Sequence, residues 1–480
     1  MDKQVKINKQ DLIKSKILEK KLVKENINPK TASKHVINNY DDAYGFIKEA
    51  EKNGIKPGLT NIRNLCGKID DVQNKLDIIH IAGTNGKGSV AAFLTSIFEK
   101  CGIKVGRYTS PAVFEYRERF YVSNSEDKTI NKSDSFISED DFTKEISFIA
   151  EKVDELINEG KDAPTAFEIE TALAFDYFYK SGCEIVILEC GMGGRMDATN
   201  IIMRPVLTIL TKISMDHMNF LGESITDIAN EKAGIIKYGV PIVSAPQDEE
   251  VRKVLEKKAK DRFNAVSYAD EYDGDIGLLG SFQRENAGIA FEAAGIVLAG
   301  ILGNDILNMK NEIDLKIREG IKEAIHPGRF QRIETKRDIY IDGAHNEDAI
   351  KKLCKSVGMY FTKRPVIIII GVLSDKEHKK MCDMLLNVAS SIFAVAPNNK
   401  RALGEVDLYN ELCDSLDELN KSTEDKKISL SHGSFEEVAR TSIKEYDEYC
   451  NKGEKPVILA CGSLSYLNDI VKRFLEIERN

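Results

Sequence analysis

The sequence of 480 residues predicts an α/β fold with mainly parallel sheets, arranged as two successive domains. Three observations carry that reading. Short β-branched runs alternate with amphipathic helical stretches, a glycine-rich loop stands between one such run and the following helix, and the rhythm restarts after His326-Pro327-Gly328-Arg329. Hydrophobic residues at 42% and charged residues at 30% suit a protein with a substantial core. A net charge of -9 provides no overall basic field for nucleic acid or anionic lipid, so neither is expected as a partner. The apolar runs read as strand-sized, Val366–Ile370 among the longest, below the ~18–20 residues a membrane span requires.

In chain order, 76–82 (LDIIHIA) reads as a buried strand. Residues 89–100 read as a helix with Val90, Phe93, Leu94, Ile97 and Phe98 on one face and Gly102 as its stop. A short strand follows at 104–108, then an exposed loop or hairpin over 123–140 and an amphipathic helix over 142–157. Segments 184–188 and 206–210 read as further buried strands. The second series offers strands at 338–341, Val366–Ile370, 392–396 and Val457–Cys461. This predicts an extension over 1–40, a first domain over 41–326 and a second over 327–480. The extension is lysine-rich, contains Asp2, Asp11, Glu19 and Glu25, and lacks both arginine and an apolar signal-peptide core. With nine scattered cysteines and no CxxC pair, a cytoplasmic protein with reduced thiols is expected.

The strongest local signal is Gly83-Thr84-Asn85-Gly86-Lys87-Gly88-Ser89. Glycines let backbone N–H groups curl around phosphate oxygens, the helix N-terminus adds partial positive charge, and Lys87 supplies a full one. Placed between strand and helix, the loop predicts nucleotide binding. Residues 82–89 fit the Walker A spacing except that Gly88 separates the lysine from the hydroxyl residue. That departure resembles the ATP-dependent amide-bond ligases of the Mur ligase superfamily, and within them the folylpolyglutamate synthase/dihydrofolate synthase family.

Further motifs extend the resemblance from about Lys56 to Leu464. Tyr108-Thr109-Ser110-Pro111 resembles the family's Ser-Pro turn, with Ala112 where the family commonly has histidine; the resemblance makes Ser110 a ligand of a first Mg²⁺. Tyr116-Arg117-Glu118-Arg119 matches a Glu-Arg element or, read alone, an exposed amphipathic strand. The run from Glu189 to Asn200 (ECGMGGRMDATN) resembles a family signature. Glu189 stands where a strand ends, a site suited to a carboxylate ligand of Mg²⁺. Cys190 reads as a small buried residue rather than a nucleophile, because no histidine partner is evident. His217 falls on the family's second Mg²⁺ ligand and Lys232 on its carbamylated lysine; the competing reading of Lys232 is a surface pair with Glu231. Carbamylation carries a physical condition. A lysine of ordinary pKa is neutral only ~0.04% of the time at pH 7, so burial, a neighbouring cation or a capturing metal is required.

The resemblance assigns pterin contact to Thr165-Ala166-Phe167-Glu168 and Met196-Asp197-Ala198, although Thr165 and Glu168 also fit a helix capping box and Phe167 a core residue. It assigns the nucleotide to Asn85, Gly86, Lys87, Gly88, Ser89, Asn286, Arg329 and Asp342-Gly343-Ala344-His345. Within that set, Asn286 belongs to the Gln283-x-x-Asn286-Ala287 helix and Arg329 to a linker whose usual tryptophan is here His326. Glu347 replaces a proline, and Asp375-Lys376, Arg401 and Gly462-Ser463 echo family positions less specifically. The implied fold is a P-loop ATPase domain followed by a smaller Rossmann-like domain. The implied activity, with Lys87, His217 and Lys232 catalytic, is ATP- and Mg²⁺-dependent ligation of L-glutamate to folate or 7,8-dihydropteroate by a monomer, through an acyl phosphate. Two alternatives are another Mur-type ligase, for which the extension is short as a UDP-recognising module, and a nucleotide-binding regulator without ligase chemistry. The joint presence of Lys87, Glu189, His217, Lys232 and Asp342 disfavours the latter.

Overall fold

The computed structural model describes residues 35–479 except 55, 124–134, 217, 304–305 and 423–426. Of the extension expected over 1–40, residues 1–34 therefore lie outside the described part, as does most of the 123–140 segment. The first sheet contains β1 (Ile78–Ala82), β2 (Val105–Tyr108), β3 (Phe120–Val122), β4 (Ile185–Glu189), β5 (Leu207–Leu210), β6 (Ile242–Ser244) and β7 (Val266–Tyr268). Its order is β3-β2-β4-β1-β5-β6-β7, parallel except for the β2–β3 pair. The chain thus passes from one side of β1 to the other between β4 and β5, which opens a crevice at the carboxyl ends of these three strands.

Every residue of β1 and β4 is buried, as expected of parallel strands covered on both faces. Side chains alternate between the two covers. Val186 and Leu188 join a core under helices Tyr40–Ala50, Thr60–Gly67, Glu139–Asn158 and Ala166–Lys180, while Ile185 and Ile187 join one under Lys87–Lys100, Gln283–Leu302 and Ile306–Glu323. Truncating Ile187 to alanine is expected to cost about 2–5 kcal/mol. The helix Gln283–Leu302 corrects the sequence reading of apolar runs: by length and composition it could cross a membrane, yet it lies in the core against Lys87–Lys100. Its alanines and glycines blurred the amphipathic signal.

The second sheet contains β8 (Gln331–Arg332), β9 (Ile339–Ile341), β10 (Val366–Ile370), β11 (Ser391–Ala394), β12 (Ser429–His432) and β13 (Val457–Cys461). Its order is β12-β11-β10-β13-β9-β8, parallel except at β8–β9. Isoleucines of β10 alternate between two cores, Ile368 and Ile370 in one and Ile367 and Ile369 in the other. Tyr466 is buried and its hydroxyl contacts the carbonyls of Ile369 (2.9 Å) and Cys461 (2.6 Å), tying the carboxyl ends of β10 and β13 together. The expected strands are present with bounds displaced by one or two residues. Tyr116–Arg119 is a 3₁₀ turn rather than an exposed strand. Arg119 is drawn inward by an ion pair with buried Glu170, which also accepts from the Tyr116 hydroxyl.

Candidate active site

The carboxyl ends of both sheets face a cavity of about 460 Å³. The loop after β1 forms its floor. A β-carbon on Gly83, at φ +153°, would meet Thr211 Oγ1 at 1.8 Å, so only glycine fits against the strand-end neighbour. Gly88 is equally constrained: a β-carbon there would lie 2.6 Å from Cε1 of His326. The unusual glycine after the lysine therefore has a steric cause, the linker ring leaning on the first turn of the helix.

Lys87 Nζ donates to the carbonyls of Gly83 (3.2 Å) and Thr84 (3.3 Å) and stands 3.9 Å from Glu189 Oε1. Glu189 closes β4 and is 5% exposed. Burial pushes its carboxyl pKa up, opposed chiefly by Lys87 and Arg329, while Oε2 accepts from the Ser110 N–H at 3.4 Å. Ser89 Oγ accepts from Gln283 Nε2 (3.2 Å) and faces His326 Nδ1 (3.4 Å), and Asn286 Nδ2 donates to Gln283 Oε1 (3.0 Å).

Lys232 ends helix Ile225–Lys232 and is 3% exposed, its Nζ donating to Gly83 O at 2.9 Å. Burial, then the neighbouring Lys87 charge, lower its pKa to about 7, with Asp216 acting in the opposite sense. Burial therefore favours the neutral amine far more than in an exposed lysine. Its neighbour Glu231 pairs with Arg195 at 2.7 Å instead, which overturns the surface-pair reading. His217 lies outside the described residues.

The second sheet supplies the opposite wall. Asp342 is 2% exposed and accepts from the backbone N–H groups of Phe330 (2.7 Å) and Ala344 (2.8 Å); burial raises its pKa and Arg329 opposes this. The Gly343 carbonyl accepts from His345 Nδ1 at 2.8 Å, which fixes the proton on that nitrogen. Arg329, Ala344, Lys376, Arg401 and Ser463 complete that wall. Asp216, from the first half, also lines the cavity and pairs with Lys376 at 2.6 Å.

Comparison with known proteins identifies this arrangement. The Mur ligase middle domain pattern matches residues 81–294, and that of the Mur ligase, glutamate ligase domain matches 328–462. The dihydrofolate synthase/folylpolyglutamate synthase of Bacillus subtilis is 32% identical over 460 residues, which cover 90% of this chain and 99% of that one. The chain belongs to the folylpolyglutamate synthase/dihydrofolate synthase family. A folylpolyglutamate synthase of Lacticaseibacillus casei is 30% identical over 397 residues, 76% of this chain and 88% of that one. The fold matches folylpolyglutamate synthase of Mycobacterium tuberculosis complexed with ADP and AMPPCP at a TM-score of 0.76 and 24% identity, over 91% of this chain and 99% of that one. It matches that of Thermotoga maritima at 0.71 and 25%, over 92% and 98%.

In this family member the residues assigned to the pterin are not among those lining this cavity; they surround the Gly191–Gly193 turn that is. Thr165 and Glu168 form the reciprocal capping box, Thr165 N–H donating to Glu168 Oε2 (2.8 Å) and Glu168 N–H to Thr165 Oγ1 (3.3 Å). The Phe167 ring lies where a β-carbon of Gly191 would be, 2.6 Å away, and so backs the glycine turn; Ala166 begins the same helix. Asp197 accepts from Met192 N–H (2.8 Å), Thr199 N–H (3.0 Å) and the Thr199 hydroxyl (2.5 Å), shaping that turn from beneath. Met196 is 39% exposed and Ala198 buried. Cys190 corrects one expectation. Its Sγ lies 3.1 Å from His80 Nε2, a histidine partner 110 positions earlier. Burial lowers the His80 pKa to about 3 and raises that of the thiol, so both are neutral and no thiolate forms.

Among the described residues no three His, Cys, Asp or Glu side chains cluster as a ready-made metal site. Mg²⁺ does not require one, since it binds through one or two carboxylates and completes its shell with water and phosphate. The buried Glu189 carboxylate beside Ser110 fits that pattern. A protonated Lys232 has no lone pair for a cation and its neutral amine is a poor ligand for Mg²⁺, which prefers oxygen; a carbamate would supply oxygen donors. Sequence reading missed Lys352 and Asn399 in the cavity wall and Asp348, whose Oδ2 accepts from Asn85 Nδ2 at 2.9 Å. Asp348 and Lys352 lie on the first turns of the helix that follows β9, and Asn399 on the loop after β11; position after a strand end is the signal that would have found them.

Proposed function

We propose that the protein uses ATP to join L-glutamate to the carboxylate of a folate, with 7,8-dihydropteroate as a second acceptor, releasing ADP and phosphate. The observation carrying this reading is the convergence of the lysine-tipped loop, Glu189 and the buried Lys232 on one cavity whose far wall comes from the second sheet. Division into two domains near residue 327, a monomeric state and a cytoplasmic setting belong to the same reading; nine free cysteines support a reducing compartment.

The chemical obstacle is repulsion between an acceptor carboxylate and the γ-phosphate, about 4 kcal/mol for unit charges 4 Å apart at an effective dielectric of 20. Lys87 and Arg329 bring positive charge to the nucleotide, with Asn85, Gly86, Gly88 and Ser89 presenting the loop and first-turn N–H groups and Asn286, Asp342 and His345 flanking it. Glu189 with Ser110, and His217 with carbamylated Lys232, would hold two Mg²⁺ ions, which supply further neutralisation of phosphate charge. Carbamylation joins the neutral Lys232 amine to CO₂ with loss of a proton, and the burial described above favours that neutral amine. The carboxylate oxygen attacks the γ-phosphorus as ADP leaves; the glutamate amine then attacks the acyl carbon and phosphate departs. No protein nucleophile takes part, so the residues act by position and charge.

The test is ADP release by the purified chain with ATP and glutamate, with dihydropteroate and reduced folate supplied in parallel. Release dependent on at least one of them and on glutamate supports the reading; ADP release indifferent to both refutes it.

A further inference from the structure

Asp216 and Lys376 come from opposite halves of the molecule, yet Nζ and Oδ1 lie 2.6 Å apart and the side chains are only 7% and 9% exposed. Around Asp216, Asn346 Nδ2 donates to Oδ2 at 3.3 Å, and His345 Nε2 lies at 3.8 Å. Asn346 also exchanges amide hydrogen bonds with Asn85 of the glycine loop, at 3.2 and 3.1 Å. Asn85 reaches on to Asp348 at the start of helix Glu347–Tyr360, whose N-cap is Asn346 itself. These contacts form a continuous polar seam where the second half meets the glycine loop, and Asp216, Lys376 and Asn85 all line the cavity. Elsewhere the halves also meet through Val113 and Phe114, packed against the second half's core, and through Asn468 Nδ2, which donates to the Phe114 carbonyl at 3.0 Å; beside the glycine loop the seam is polar.

We propose that the Asp216–Lys376 pair is a positioning clasp that holds the halves shut while the acyl phosphate exists, so that the amine and not water consumes it. This rests on the acyl-phosphate chemistry proposed above. In the productive step the amine forms a C–N bond and the C–O bond to phosphate breaks. In the wasteful one, water forms a C–O bond, phosphate leaves, and the original carboxylate returns with ATP spent. Removing one member of this largely buried pair deletes the ion pair that joins the halves beside the cavity, which lets them part and admits water.

The experiment measures moles of ADP released per mole of amide formed, for wild type, Lys376→Met, Asp216→Asn and the double variant, with thermal unfolding to check each fold. Wild type is expected close to one. Each single variant is expected to raise the ratio at least about threefold, and the double variant no further than the worse single, because both singles break the same contact. Lys379→Met, an exposed lysine of the same half that pairs with Glu418, keeps the wild-type ratio. Ratios near one in the folded single variants, with ADP and amide falling in proportion, overturn the clasp. If Asp216→Asn fails to fold, Lys376→Met alone decides. Absence of amide formation by wild type would instead strike the proposed function itself.

Discussion

The two walls of the cavity are built differently. The first-sheet wall stands on the fully buried strands β1 and β4, and its reactive groups are locked: Glu189 is 5% exposed, Lys232 is 3% exposed, and Gly83 is jammed against Thr211. The second-sheet wall is mixed: Asp342 is 2% exposed, but the rim of the wall is open. Its Arg401 side chain is 58% exposed, bound to Asp375 at 3.1 Å, and that of His345 is 31% exposed. In the proposed reaction the contrast separates two tasks: the first wall would hold the phosphates, the metal and the modified lysine, and the second would close over them. Substitutions in the first wall should therefore cost far more than substitutions at the rim of the second.

The largest effect is expected at Lys87. Lys87→Ala should lower kcat by at least ~100-fold in steady-state assay while the chain stays folded, the loss typical of one transition-state donor. Near-wild-type turnover would erase the distinction between the walls. Next comes Lys232→Ala, which should lose activity and regain part of it with added short carboxylates, measured as amide formed per minute. A fully active alanine variant would remove the carbamate from the account.

Lys232 also leaves a mark on stability. Its folded pKa, about 7, lies below the ordinary lysine value of 10.5, so between those values the unfolded chain binds a proton that the folded chain does not. Stability gained from this residue therefore rises with pH across that window and is absent below it, by up to about 1.4 kcal/mol per pH unit. In CO₂-free buffer, denaturant unfolding between pH 7 and 9 should show this slope in wild type and a shallower one in Lys232→Met, with part of the slope kept by Lys237, whose pKa burial lowers to about 8. The smallest effect is expected at the exposed rim: Arg401→Ala should change kcat/KM by less than about fivefold, the range of an exposed ion pair. A larger loss would mean that the second wall acts directly on the reacting groups.

Much of this was legible in the sequence because local pattern and local structure coincide there. The strand, the glycine turn and Lys87 are contiguous, so one segment of chain carries the phosphate loop entire. Glu189 was legible for the same reason, as the last residue of an apolar run. Long-range packing was not. The histidine partner of Cys190 sits 110 residues away, and nothing local announces the pair. The hydrogen bonds that Asp197 accepts from Met192 and Thr199 were equally hidden, because they are set by the fold of the turn. The His326 ring explains Gly88 only once the linker is seen against the loop.

The central claim, that this cavity activates a carboxylate by phosphorylation, is tested most directly by isotope transfer. With the acceptor carboxylate labelled with ¹⁸O, the account predicts one labelled oxygen in each phosphate released during amide formation. Unlabelled phosphate released alongside amide product would contradict it.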